Sequence, residues 1–169
     1  MKKMKYKVEI MSRKKCLDLV NNSKIGGRCI IISINDSYKD TIFKNKNNEL
    51  IIKKYWIDDT DTDMDGKLSM TDYIAKDIKL FIDKHKDIKH IIVHCTLGTS
   101  RSSAIGCALA RYLNGNDTYL WDTGNYLPRK SVYEKMCNAL GLEFNNELFQ
   151  EKRSFILNNL KQHYMESFK

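Results

Sequence analysis

His90-Ile91-Ile92-Val93-His94-Cys95-Thr96-Leu97-Gly98-Thr99-Ser100-Arg101-Ser102 is the stretch on which the fold turns. It begins with a short apolar run of strand type. After Ser103, Ala104, Ala108 and Tyr112 form one helical row, with Ile105, Leu109 and Leu113 beside it, and Gly115 sits where a helix closes. Between strand and helix lies a tight bend that holds a cysteine, a glycine, several hydroxyls and an arginine. In open α/β sheets, anions and ligands bind where such a bend leaves the carboxyl end of a strand.

The same alternation continues outward in both directions. Val8 to Met11 reads as a strand, and Ser12 stands in N-cap position before a short helix through Val20. Gly26-Gly27 breaks the chain before Cys29 to Ile34, a continuous apolar run that predicts a buried strand. Asn35 to Asn48 is a polar loop around Thr41-Ile42-Phe43, and Leu50 to Ile57 is a further strand. An acidic stretch follows, Asp58 to Asp65, ending at Gly66. Thr71 or Asp72 caps a helix whose apolar face is Ile74, Ile78, Phe81 and Ile82. Beyond Pro128, helical spacing returns at Val132, Met136 and Leu140, and again over Phe155 to Leu160. Alternating strands and helices predict an α/β sandwich around a mainly parallel sheet. Without repeats or a linker-like segment, residues 1–169 are expected to form a single domain.

Composition narrows the class. Hydrophobic residues make up 42% of the chain, too many for a disordered protein. No apolar run approaches a membrane span, and the Lys-rich start leads into no apolar signal core, so a cytoplasmic protein with no membrane partner is expected. Five cysteines, odd in number and without C-x-x-C spacing, argue against a disulfide framework or a zinc site. The net charge of +8 is spread along the chain; it fits a solvated basic surface and equally an anionic partner such as phosphate or RNA.

Among the five cysteines, only Cys95 has an arginine six positions on; Asn22, Asn35, Leu113 and Glu143 occupy that place after the other four. A loop of this length turns successive backbone N–H groups of Thr96, Leu97, Gly98, Thr99 and Ser100 inward as an anion nest, with the helix dipole adding positive potential. Gly98 permits positive φ. Arg101 presents a planar fork that matches two phosphate oxygens. This environment favours a Cys95 thiolate, the form competent to attack phosphorus. Ser102 is placed to hydrogen-bond the sulfur and ease its departure. His94 is expected to point away and order the loop through hydrogen bonds, without donating a proton. Transfer of a phosphoryl group from an ester also needs a proton donor for the leaving oxygen. Asp58, Asp59, Asp61, Asp63 and Asp65 are the candidates.

The block His94-Cys95-x-x-Gly98-x-Ser100-Arg101-Ser102 resembles the active-site loop of protein-tyrosine and dual-specificity phosphatases. Ile32-Ser33-Ile34, an acidic loop after a strand, the helix before the cysteine strand and the segment Asn125 to Val132 are similar to compact bacterial, phage and viral-type members. The resemblance implies a three-layer α/β/α phosphatase-type fold and hydrolysis through phospho-Cys95. It also implies phosphate held by Arg101 and the loop backbone, no metal and no cofactor. The family's acid follows a strand in a hydrophobic–x–Asp pattern, which points to Asp58, with Asp59 close behind. Phosphotyrosine proteins are the expected substrates, with phosphoserine/threonine beside them, and a phosphate or sulfate ion would fit the site. The alternatives are an RNA 5′-phosphate phosphatase, a phosphoinositide phosphatase (against which stand Leu97 and Thr99, where a lysine would be found) and a non-catalytic phosphoprotein-binding module.

A rival pattern overlaps the acidic stretch. Asp61-x-Asp63-x-Asp65-Gly66, with Asp72 at position 12, has calcium-loop spacing, but a strand rather than a helix precedes it. Trp121 and Tyr126 read as packing residues before pocket residues. Cys107 reads as core before redox partner of Cys95, and Lys152, Arg153 and Lys161 as a solvated helix face.

Overall fold

The computed structural model describes residues 4–44, 46–63 and 66–168. Its elements run β1 (Lys7–Ser12), α1 (Arg13–Asn21), β2 (Cys29–Asn35), β3 (Leu50–Trp56), α2 (Asp72–Lys84), β4 (His90–Cys95), α3 (Arg101–Asn114), α4 (Thr118–Trp121), α5 (Lys130–Leu140) and α6 (Asn146–Glu166). The four strands form one sheet in the order β1-β4-β2-β3, parallel throughout. All seven residues of β2 are buried, as the unbroken apolar run predicts for a strand covered on both faces.

Side chains alternate across the sheet. Ile30, Ile32, Ile34, Ile91 and Val93 face one side and pack with Ile78 of α2, Ile105 of α3 and Val132 of α5. Cys29, Ile31 and Ile92 face the other, where α1 supplies Cys16 and Val20, and Phe43 of the 36–49 loop completes a smaller cluster. The result is three layers with unequal outer ones. Contact between α3 and β1 is tight: a Cβ at Gly106 would come within 2.5 Å of Ile10 Cγ1.

Register sets the site. Ser12 of β1 lies opposite Cys95 of β4, and Ser33 of β2 opposite His94, so the three strands end near one level. The chain after each of them emerges on one edge, the place where α/β sheets build sites. Ser12 caps α1 by accepting from the Lys15 N–H at 3.2 Å, and Thr71, not Asp72, caps α2 through the Ile74 N–H at 3.1 Å.

Two features differ from the sequence reading. A single turn, α4, precedes Pro128, where no helical period was visible in so few residues. The spacing at Phe155 to Leu160 belongs to a 21-residue helix in which only Phe149 and Ile156 are buried. No helix among the described residues is long and apolar enough to cross a membrane.

Candidate active site

Cys95 is the last residue of β4 and Arg101 the first of α3, with Thr96 to Ser100 bent between them. The bend rests on the β1–α1 junction: Gly98 has φ +78°, and a Cβ there would lie 2.5 Å from the Met11 carbonyl carbon and the Ser12 nitrogen. No other residue satisfies both constraints. Three of the loop's carbonyls are taken up by the surrounding protein. Thr96 O accepts from the Arg13 N–H at 3.3 Å, Thr99 O from the Leu127 N–H at 2.8 Å and Ser100 O from the Arg129 N–H at 3.3 Å. The Ser103 hydroxyl donates to Thr99 O at 2.6 Å. In a trans peptide the N–H points opposite to the carbonyl within the peptide plane, so the N–H groups of Leu97, Ser100 and Arg101 point away from the donors that hold those carbonyls. Gly98 N–H points to the Cys95 sulfur at 3.3 Å, and Ser102 Oγ lies 3.1 Å from it. Cys95 itself is buried.

Arg101 is held from behind. Its Nη1 donates to Asp36 Oδ1 at 2.6 Å and to Ile57 O at 2.7 Å, while its buried Nε has no hydrogen-bond partner among the described residues. Asp36, the first residue after β2, is a hub. Its Oδ2 accepts from Thr96 Oγ1 at 2.7 Å and from Arg13 Nη2 at 3.3 Å. The Arg101–Asp36 pair is nearly dry, with side chains 6% and 10% exposed. Burial pushes the Asp36 carboxyl up, but the bonds from Thr96, Arg101 and Arg13 outweigh it and hold the group below the usual carboxylate range. Neither Asp36 nor Arg13 stands out as a site residue in the sequence. The available signal is position: each directly follows a strand at the edge where the cysteine loop emerges.

The acidic stretch divides after its first residue. Asp58, 4% exposed, accepts the Ser37 N–H on Oδ1 at 3.0 Å and the Leu68 N–H on Oδ2 at 2.8 Å. Burial raises its proton affinity, yet these two backbone donors prevail and lower it. Asp59 has a side chain 45% exposed, and its Oδ1 accepts from Ser100 Oγ of the cysteine loop at 2.9 Å and from Arg129 Nε at 2.6 Å. Asp61 accepts from Ser131 Oγ at 2.7 Å, and Asp63 from the Ser69 N–H and hydroxyl at 2.7 and 2.8 Å. Asp65 lies outside the described residues. With Asp72 paired to Lys135, the calcium-loop acids that are described serve separate protein partners, and no group of metal-ligating side chains is found among the described residues.

His94 corrects an expectation. Among the described residues its buried ring nitrogens meet no hydrogen-bond partner, and Phe43 meets the ring edge-on at 6.0 Å. It orders the strand end by packing. Burial pushes its pKa down to about 4, so the ring is neutral at pH 7. Trp121 is buried and donates to Asp117, and the Tyr126 hydroxyl donates to Ile10 O, so both pack as expected. The remaining cysteines are buried free thiols. Burial pushes Cys16 and Cys29 up to about 12, Cys137 to about 11 and Cys107 well above the ordinary value. Leu97 stands exposed on the loop's rim.

No protein-family model matches the chain, and no curated protein matches it in sequence. Solved structures do. DUSP15 superimposes with a TM-score of 0.56 at 16% identity, covering 94% of this chain and 95% of that one. A human tyrosine phosphatase-like serine/threonine/tyrosine-interacting protein gives 0.54 at 18% identity, over 72% of this chain and 85% of that one. PTPMT1, in a complex with PI(5)P, gives 0.50 at 15% identity over 80% and 90%. The parallel sheet, the layers on its two faces and the bend that joins β4 to α3 give this protein the fold of the protein-tyrosine and dual-specificity phosphatases.

Proposed function

We propose that this protein is a cysteine-dependent phosphate-monoester hydrolase acting on phosphorylated proteins, phosphotyrosine first among them. One observation carries the reading. The Cys95 sulfur is met by the Gly98 N–H and Ser102, while the buried Arg101 fork is braced on Nη1 and keeps an Nε without a partner among the described residues. A buried cationic donor without an acceptor is costly unless an anion completes it.

In the first step the Cys95 thiolate attacks phosphorus, the S–P bond forms, and the P–O ester bond breaks with its electron pair passing to the leaving oxygen. Arg101 and the N–H groups from Thr96 to Ser100 hold the three non-bridging oxygens. Asp59 is the better-placed donor of the leaving group's proton, because both oxygens of Asp58 are engaged with backbone N–H groups. In the second step the same carboxylate takes a proton from water, which displaces the thiolate as inorganic phosphate forms. Ser102, 3.1 Å from the sulfur, stabilises the departing thiolate. The residues read as one phosphatase domain.

The test is hydrolysis of p-nitrophenyl phosphate and of phosphotyrosine peptides with EDTA present. Turnover abolished by Cys95→Ser is the expected result. A folded wild-type protein that binds phosphate without turning over would instead support the phosphoprotein-binding module, a reading favoured by the neighbour named as a phosphatase-like interacting protein. Turnover of PI(5)P in preference to peptides would move the substrate class to phosphoinositides, in line with the PTPMT1 complex.

A further inference from the structure

A proton donor on a largely exposed loop must be held over a cysteine loop that belongs to other elements. The segment before α5 makes that link. Its backbone is fastened to the cysteine loop, since the N–H groups of Leu127 and Arg129 donate to Thr99 O and Ser100 O at 2.8 and 3.3 Å. From this anchored position the Arg129 side chain, 26% exposed, crosses to the acidic loop. Nε meets Asp59 Oδ1 at 2.6 Å and Nη1 meets Asp61 Oδ2 at 3.2 Å. The rigid fork therefore spans two carboxylates of one loop. Asp61 is tied a second time to the start of α5, through Ser131 Oγ at 2.7 Å. Burial disfavours the Arg129 charge, and Asp59 and Asp61 together outweigh it.

The oxygen that Arg129 chooses matters chemically. Both donors to Asp59, Arg129 Nε and Ser100 Oγ, fall on Oδ1, so Oδ2 takes part in neither bond. A carboxylic acid held by its carbonyl oxygen can carry the transferable proton on the other. We propose that Arg129 is a positioning residue for the proton donor. It fixes Asp59 against the cysteine loop by Oδ1 and leaves Oδ2 to deliver the proton, while Asp61 shares its charge. The inference rests on the reading of Asp59 as the donor.

The test uses two substrates that differ only in their need for a proton. Phenyl phosphate releases a phenol with a pKa near that of tyrosine, about 10. 2,4-Dinitrophenyl phosphate releases a phenolate that departs unprotonated. Their kcat/KM values report the step in which the ester bond breaks. Arg129→Met is expected to raise the dinitrophenyl-to-phenyl ratio of kcat/KM about 10-fold, a part of the roughly 10²–10⁴ that a positioned acid contributes. Arg129→Lys, a point charge that reaches one carboxylate, brings the ratio part of the way back. Asp59→Asn raises the ratio further, and adding Arg129→Met to it moves the ratio no more. An Arg129→Met enzyme in which both substrates slow equally would overturn the inference, as would a ratio change that persists in the Asp59→Asn background. If Asp59→Asn itself leaves the ratio at the wild-type value, the donor assignment fails and takes this inference with it. A response to Asp59 with none to Arg129 removes the inference alone.

Discussion

Two loops meet at this site, and they are built on opposite plans. The bend from Cys95 to Arg101 is buried at both ends, and its Thr96, Thr99 and Ser100 carbonyls are fixed by backbone or hydroxyl donors from α1, α3 and the segment before α5. The acidic loop after β3 is fixed by backbone at its root, where Ile57 N–H donates to Asn35 O at 3.0 Å, Asp58 N–H donates to Leu68 O at 2.7 Å and Ile57 is fully buried. Further out it is held by side chains: Asp59 on Ser100 and Arg129, Asp61 on Ser131 and Arg129. An anion nest must keep its donors aimed before substrate arrives, because reorganising dipoles during reaction forfeits their electrostatic advantage. A proton donor must lose and regain a charge, which a dry and fully bonded carboxylate does poorly. The adjacent pair Asp58 and Asp59 shows both plans side by side.

The comparison is broken most severely at Asp36. Asp36→Asn keeps one acceptor oxygen in place of two, serving either Arg101 or the Thr96 and Arg13 pair, and leaves Arg101 and Arg13 without the Asp36 counter-charge. Loss of kcat/KM on p-nitrophenyl phosphate by on the order of 10²-fold is expected, the scale of one displaced transition-state donor. Asp36→Ala should also lower unfolding free energy by about 3–5 kcal/mol, the cost of breaking a buried ion pair from one side. Denaturant titration reads the second effect. Full activity in Asp36→Asn would mean that Ile57 O alone aims Arg101, and the rigid plan would then rest on backbone only.

The next break separates the neighbouring acids. Asp59→Asn is expected to lower kcat/KM on phenyl phosphate by about 10²-fold or more, with a melting temperature near that of the wild type. Asp58→Asn should do the reverse. One end of its amide faces a backbone N–H with a donor of its own, so a buried N–H loses its acceptor at a cost of about 1–3 kcal/mol. Kinetics and thermal melts on the same two proteins decide the matter, and exchanged phenotypes would return the donor role to Asp58.

Legibility follows the same divide. The strands, the main helices, the parallel sheet and the strand–bend–helix unit could be read because they rest on local periodicity and on one spacing, Cys95 to Arg101. Gly98 was readable as a turn, though not as the residue pressed against Met11 and Ser12. Asp36 was out of reach because its partners are 23, 60 and 65 residues away, and nothing in its neighbourhood predicts Arg13, Thr96 or Arg101. The hydrophobic–x–Asp pattern admits both Trp56-Ile57-Asp58 and Ile57-Asp58-Asp59, so the pattern could not separate two adjacent carboxylates. Contacts with Ser37, Leu68, Ser100 and Arg129 are what distinguish them. His94 carried a polar name into an apolar place, and only the fold shows Phe43 beside it.

The smallest expected effect sharpens the comparison through pH. Asp36 and Asp58 both have folded-state proton affinities below the ordinary carboxylate value. A group depressed on folding adds stability that is complete above its unfolded pKa, about 3.9 for Asp, and that is lost as pH falls through the lower folded value. Wild-type unfolding free energy should therefore hold steady with respect to these two groups above about pH 5 and decline below about pH 4. Asp58→Asn starts from a lower plateau and removes one of the two titrations, so its acid-side slope should be shallower than that of the wild type. Urea unfolding at closely spaced pH values between about 2.5 and 6 measures both slopes. An unchanged slope in Asp58→Asn would mean that the root of the acidic loop has already opened before Asp58 takes up its proton. The loop would then be held at acid pH by the side-chain contacts of Asp59 and Asp61 with Ser100, Ser131 and Arg129, and the contrast between a backbone-fixed root and a side-chain-fixed tip would disappear.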